Sequence, residues 1–175
     1  MRVYYYTAER YALSNIINER IKISLLDELN DPFEFLGVNL ADRELRKAFE
    51  AGRDAVAKEF GTISFSRSSR NPLLWAHYGD KHRGICLGFD IDDDHINEVN
   101  YFPERMTATV DMEKEFGGLN VEFVENLLCS KYLGWSYEDE VRVIVPLEIK
   151  DSAGHYFYDF EGNMELKEVI LGPRY

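Results

Sequence analysis

The feature that most restricts the fold is the run GICLGFDI at residues 84–91. It is apolar at nearly every position, it is short, and the acidic DDDH follows it directly. Such a run reads as a strand covered on both faces, and a strand of that kind belongs inside a sheet. The rest of the chain must therefore supply its neighbours. VYYYT near the start, TISFS at 62–66, EVRVIVPLEI, HYFYDF and LKEVILG all read as strands, with shorter extended pieces at IKIS, VNYF and TATV. Helical spacing appears in AERYALSNIINERIK, through Ala12, Leu13, Ile16 and Ile17. It recurs from Asp42, the expected N-cap, to Phe60, through Leu45, Ala48, Phe49 and Val56. A short helix is expected in NPLLWAHYG, capped by Asn71 and opened by Pro72. Another is expected over residues 120–132, with Val121, Val124, Leu127 and Leu128 on its apolar face. Asn30-Asp31-Pro32 marks a loop, with Phe33 directed to the core. Strands and helices in this order predict an α+β fold: one domain over residues 1–175, with a mostly antiparallel or mixed sheet and several helices packed on it.

A chain of 175 residues buries roughly 70% of its extended surface on folding, enough for a core without metal or disulfide staples. Cys86 and Cys129 sit in apolar surroundings without ligand spacing and are expected to be buried free thiols. No apolar run approaches the ~20 residues of a membrane span, and the opening MRVYYYTAER lacks the apolar centre of a leader. The expected location is the cytoplasm, without a membrane partner.

The net charge of −12 opposes nonspecific binding to nucleic acid, because that attraction scales with the cations presented. The charge is unevenly placed. Residues 1–83 hold 13 Lys and Arg against 12 Asp and Glu, whereas residues 84–175 hold 7 against 20. Arg67, Arg70, Lys81 and Arg83 are interleaved with Ser64, Ser66, Ser68, Ser69, Trp75, His77, Tyr78 and His82. Arginines beside hydroxyls and aromatic faces can grip a phosphate and stack a base.

The common dinucleotide, P-loop, zinc-protease and hydrolase-elbow signatures are absent. The acids at Asp90 to Asp94 do not make a calcium loop, which needs glycine and glutamate where this chain has His95 and Tyr101. His77 and His82, five residues apart, would point about 140° from each other on a helix, so no metal site is expected there.

The sharpest constellation is WSYEDEVRVIV. Strand alternation places Glu138, Glu140 and Arg142 on one face. Two close carboxylates can divide labour, one stabilising a developing sugar cation and the other taking a proton from an acceptor. The alternative is a charged strand face on which Arg142 or Lys131 pairs with the glutamates. In TISFS, Ser64 and Ser66 project from one strand face with Arg67 beyond them.

From the opening YYYT through LNDPFE, SFS, LLWAHYGDKHRGICLGF, Lys131 to YEDEVR, and LKEVILG, the chain resembles the bacterial domain of unknown function 2971 family. A more distant resemblance is to ADP-ribosyltransferases, which carry a basic or His residue on an opening strand, then Ser-x-Ser, then Glu-x-Glu. Here these are Arg2, Ser64 with Ser66, and Glu138 with Glu140. That resemblance implies NAD as co-substrate, with Glu140 on the nicotinamide ribose and its oxocarbenium ion. It implies further that Glu138 orients or deprotonates the acceptor, that Arg2 meets the pyrophosphate and that Ser64 braces the site. Tyr78 is the aromatic expected to stack on nicotinamide, and Ser66, Arg67, His77 and His82 complete the expected cofactor contacts.

Three functions follow. The first is an NAD-consuming transferase or glycohydrolase built on the serine and glutamate elements. The second is a metal-independent nuclease or phosphoryl-transfer enzyme, with His77 and His82 as acid and base and Lys81, Arg83 or Lys131 on phosphate. The third is a non-enzymatic module in a defence or toxin-related system that recognises a nucleotide or a protein, its acidic half meeting a basic partner.

Overall fold

The computed structural model describes residues 1–29, 43–104, 126 and 128–175. The chain opens with strand β1 (Arg2–Thr7), helix α1 (Glu9–Ile17) and the short strands β2 (Arg20–Lys22) and β3 (Ser24–Leu25). Helix α2 (Arg43–Glu59) runs directly into β4 (Phe60–Ser66), and α3 (Pro72–His77) precedes β5 (Ile85–Ile91). Short strands β6 (Asn97–Glu98), β7 (Asn100–Phe102) and β8 (Ser130–Tyr132) follow, then β9 (Glu140–Pro146), β10 (Phe157–Asp159) and β11 (Met164–Leu171).

The main sheet has the order β11-β5-β1-β4-β9-β6, and β3 also pairs with β4. Its ladders are antiparallel. β10 with β2 and β7 with β8 form two-stranded sheets, the latter parallel. The apolar run at 84–91 lies between β1 and β11, as an inner strand should. The fold is α+β.

Register assigns each face of the sheet. Val3 lies opposite Phe89, Ile63 opposite Val143 and Phe65 opposite Val141. These side chains, with Leu87, Ile91, Val145 and Ala12 of α1, make the main core. The other face is polar along its middle. Tyr4 stands opposite Ser66, Ser66 opposite Glu140, and Ser64 opposite Arg142. Because strand side chains alternate, these residues point to one side, away from the core. On this polar side lies α3, whose Trp75 is buried and meets Tyr6 edge-on at 5.0 Å between ring centres. Asn71 caps α3 by accepting from the Leu73 N–H at 2.9 Å, as its position before Pro72 predicts.

Between α3 and β5 the backbone makes an unusual turn. Asp80, Lys81 and His82 take positive φ of 45°, 54° and 72° in succession, conformations that cost non-glycine residues free energy. The turn is tied down on both sides: the His82 N–H donates to the Trp75 carbonyl at 2.9 Å, and its own carbonyl accepts from the Arg174 N–H at 2.9 Å.

Both cysteines are buried and neither is in a disulfide, and burial pushes the Cys86 thiol up to about 12. Among the described residues, no helix is long and apolar enough to cross a membrane.

Two expectations are corrected. The helix expected over 120–132 does not reach Tyr132: Asn126 and Leu128 are helical, but Ser130–Tyr132 is strand β8, held parallel to β7. The common face of Glu138, Glu140 and Arg142 does not arise from one strand, because Glu138 closes the 3-10 helix Leu133–Glu138 and only Glu140 begins β9. Asn30, Asp31, Phe33, the Asp42 cap, the TATV strand, Val121, Val124 and Leu127 lie outside the described residues.

Candidate functional site

The polar face of β1, β4 and β9 forms one wall of a cleft of about 260 Å³, lined by Tyr4, Tyr6, Ser64, Tyr78, Glu138 and Glu140 among others. Lys131 and Arg142 also reach it. Four of these groups are charged and almost fully buried: Lys131 is 6% exposed, Glu138 4%, Glu140 4% and Arg142 1%. Burial at that level is tolerated only with close pairing and hydrogen bonding, and the geometry supplies both.

Lys131 Nζ donates to Glu138 Oε2 at 2.6 Å and to Glu140 Oε2 at 2.9 Å, joining the two carboxylates. Arg142 Nε donates to Glu140 Oε1 at 2.8 Å, and its Nη2 donates to Glu140 Oε2 at 3.3 Å. The remaining Nη1 donates to the Leu128 carbonyl at 2.5 Å. Tyr78 closes the far side, its hydroxyl donating to Glu138 Oε1 at 2.5 Å. Among the described residues, two positive and two negative side chains meet here.

The titration of these groups follows from their surroundings. Burial holds the Glu140 carboxyl above its ordinary range, while Lys131 and the Ser64 hydroxyl act in the opposite sense. Burial alone would lower the Lys131 ammonium, but the Glu140 and Glu138 carboxylates reverse this and raise it. Tyr101 sits behind the site, accepting at its hydroxyl from the Glu140 N–H at 2.9 Å, and burial pushes it up to about 12.

The turn between the glutamates explains how both reach one lysine. Asp139 is left-handed, with φ of 44°, so the chain swings from the 3-10 helix into β9 within one residue. Three contacts hold that turn. The Ser66 hydroxyl donates to the Glu138 carbonyl at 2.7 Å. The Arg67 N–H donates to the Asp139 carbonyl at 3.0 Å. The Arg67 guanidinium pairs with Asp139 at 3.1 Å and with Glu98 at 2.5 Å. A fourth contact binds α3 to the same 3-10 helix, as the Asn71 side-chain amide donates to the Tyr137 carbonyl at 2.5 Å.

The structure therefore brings together Glu138, Glu140, Ser64, Ser66 and Tyr78 on one cleft. It places the other expected site residues elsewhere. Arg2 projects toward the opposite edge of the sheet, paired with Asp90 at 2.6 Å and with Glu168. Arg67 is engaged in the acidic latch just described. His77 is exposed, its ring 6.2 Å from that of Tyr137, and His82 belongs to the left-handed turn. Neither histidine, nor Arg2 or Arg67, lines the cleft. Among the described residues no group of three or more His, Cys, Asp or Glu is placed to hold a metal ion.

Sequence reasoning named Lys131 and Arg142 as counter-ions on a solvated strand face, and missed their burial as the centre of the site. The available signal was the order Lys131, Glu138, Glu140, Arg142 inside an otherwise apolar and aromatic segment, where four charges have few ways to be satisfied except by each other. Tyr4 and Tyr6 carried no signal beyond their place on β1.

No curated protein and no solved structure matches the chain. Residues 74–143, which hold Tyr78, Lys131, Glu138, Glu140 and Arg142, match the model of a family described as "Protein of unknown function (DUF2971)".

Proposed function

We propose that the cleft is the active site of an NAD-consuming enzyme that breaks the bond between nicotinamide and ribose. One observation carries this reading: in the β4–β9 ladder Ser66 faces Glu140 and Ser64 faces Arg142, so the Ser-x-Ser and Glu-x-Glu elements line the same small cleft. Breaking that bond builds positive charge on the ribose, and two fixed carboxylates in a site of low dielectric favour that charge. Tyr4, Tyr6 and Tyr78 supply aromatic surface for the nicotinamide ring, and Ser64 supplies a hydroxyl for the ribose. The exposed His77 and the turn-bound His82 share no cleft with Lys131, which favours the carboxylate chemistry over phosphoryl transfer by the histidine pair.

The test is calorimetric titration of the purified chain with NAD, followed by assay of released nicotinamide. Saturable binding with release by the native chain, and loss of release in the Glu138→Gln, Glu140→Gln double variant, is the expected result. Absence of binding at millimolar NAD overturns the reading.

A further inference from the structure

We propose that the cleft grips only the nicotinamide-ribose half of NAD and leaves the diphosphate and adenosine outside, so that the pyridinium nucleoside alone is a full substrate. This rests on the NAD-consuming reading above and names the part of the molecule that the site recognises. A diphosphate is strongly anionic, and taking it out of water needs cations that can pair with it. Among the described residues the cleft is lined by two cations, Lys131 and Arg142. Both are committed to the glutamates, Lys131 to Glu138 and Glu140 and Arg142 to Glu140 through two of its nitrogens. The other charged side chain among the described lining residues is an acid, Glu28. It ends the 3-10 helix Leu26–Glu28 and is half-exposed, which places it at the open side of the cleft.

Basic residues outside the cleft are held in the same way. Arg2 shares a face of β1 with Tyr4, but it lies between Asp90 and Glu168. Arg67 lies between Asp139 and Glu98. Lys22 pairs with Glu28 itself at 3.3 Å. An anion that approaches any of these three cations meets at least one carboxylate already in place. The chain that continues from Leu29 adds no cation, because residues 30–42 contain three Asp or Glu and no Lys or Arg. The nicotinamide end of the ligand has the opposite charge. Its pyridinium ring is cationic and is drawn to carboxylates and to aromatic faces within about 6 Å. Glu28, Glu138 and Glu140 supply the carboxylates, and Tyr4, Tyr6 and Tyr78 the faces. Specificity comes from repelling the wrong group as well as from attracting the right one, and Glu28 supplies the repulsion.

The experiment follows nicotinamide release by the full chain from NAD and from nicotinamide riboside, with ADP added as a competitor. A kcat/KM for the riboside equal to or above that for NAD, without inhibition by millimolar ADP, supports the proposal. A lower kcat/KM for the riboside, or inhibition by ADP, overturns it while leaving the NAD-consuming reading intact. Release from the riboside alone supports the proposal and overturns NAD itself as the substrate, and release from neither overturns both. Salt gives an independent readout on the native chain. Screening weakens repulsion at the mouth of the cleft, so the KM for NAD is expected to fall as salt rises. A KM for NAD that rises with salt shows a diphosphate held by cations and overturns the proposal. Glu28→Lys reverses the charge at an exposed position and is expected to lower the KM for NAD and raise that for the riboside, each by about two- to fivefold. Unchanged KM values in this variant overturn the part given to Glu28.

Discussion

Ser66 stands directly opposite Glu140 in the β4–β9 ladder, yet its hydroxyl reaches past that partner to the carbonyl of Glu138 at 2.7 Å. The same oxygen accepts from the Ser68 N–H at 3.1 Å. One buried hydroxyl therefore holds the end of the 3-10 helix to the strand that faces the second glutamate.

Replacing Ser66 by alanine leaves the Glu138 carbonyl without this donor and frees the turn that presents the carboxylate. A stability loss of about 1–3 kcal/mol is expected from the unsatisfied buried group. Urea unfolding measures it. Nicotinamide release should fall as well, because Glu138 is no longer fixed. An unchanged unfolding midpoint would show that this contact does not hold the turn.

Lys131→Met removes the cation shared by two buried carboxylates, a change that costs about 3–5 kcal/mol at neutral pH. The sign of its pH dependence is set by Glu140. In the native chain its folded pKa already lies above the ordinary value, so the folded state binds more protons than the unfolded one. Stability from this group is fully present below about pH 4.3, the unfolded glutamate value, and is lost as pH rises through the raised folded value. Without Lys131 that folded value rises further. The deficit of the variant is therefore expected to shrink on acidification from pH 7 toward pH 4. Unfolding curves at several pH values for both chains check this, and a deficit that grows on acidification contradicts the arrangement.

Asp139 holds a left-handed backbone that a β-branched residue resists strongly. Asp139→Val should cost about 1–3 kcal/mol. Asp139→Gly removes the strain at the expense of an exposed pair with Arg67, itself worth under about 1 kcal/mol, and is expected to leave stability within about 1 kcal/mol of native. Thermal unfolding of the two variants side by side gives the comparison, and equal losses would contradict a conformational origin.

Gly84 allows the strand β5 to start against the turn at 80–82. A Cβ there would lie 2.3 Å from the Thr7 carbonyl oxygen and 2.9 Å from the Gly79 carbonyl carbon, both backbone atoms that cannot swing aside. Gly84→Ala is expected to destabilise by about 1–3 kcal/mol or more through overpacking. Its signature in hydrogen exchange is faster exchange at the Gly172 amide, which donates to the Gly84 carbonyl at 2.9 Å.

The strands of the main sheet were legible because two periodicities are hard to confuse over several residues. β4 alternates Ile63, Ser64, Phe65 and Ser66, and β9 alternates Val141, Arg142 and Val143, so each announces one apolar and one polar face. The pairing of the serine strand with the glutamate strand was not legible, since order along a chain does not specify neighbours in a sheet. The 3-10 helix ending at Glu138 was missed because a single left-handed residue, Asp139, re-aims the chain, and aspartate at that position does not announce it. The strand at Ser130–Tyr132 was hidden by apolar residues at helical spacing just before it. The pairing of Lys131 with the glutamates was legible as an alternative, but its burial was not: its partners lie seven and nine residues onward, beyond the range of either period.

The position of β5 has a consequence for how the molecule is made. Its partner on one side, β1, precedes it by about eighty residues, and its partner on the other, β11, follows it by as many. During synthesis the most apolar strand of the sheet therefore pairs on one flank and waits with the other flank open until residues 164–171 emerge. An unpaired apolar edge is the surface on which chains join one another. In the nascent chain that flank of β5 has no native partner until β11 has emerged.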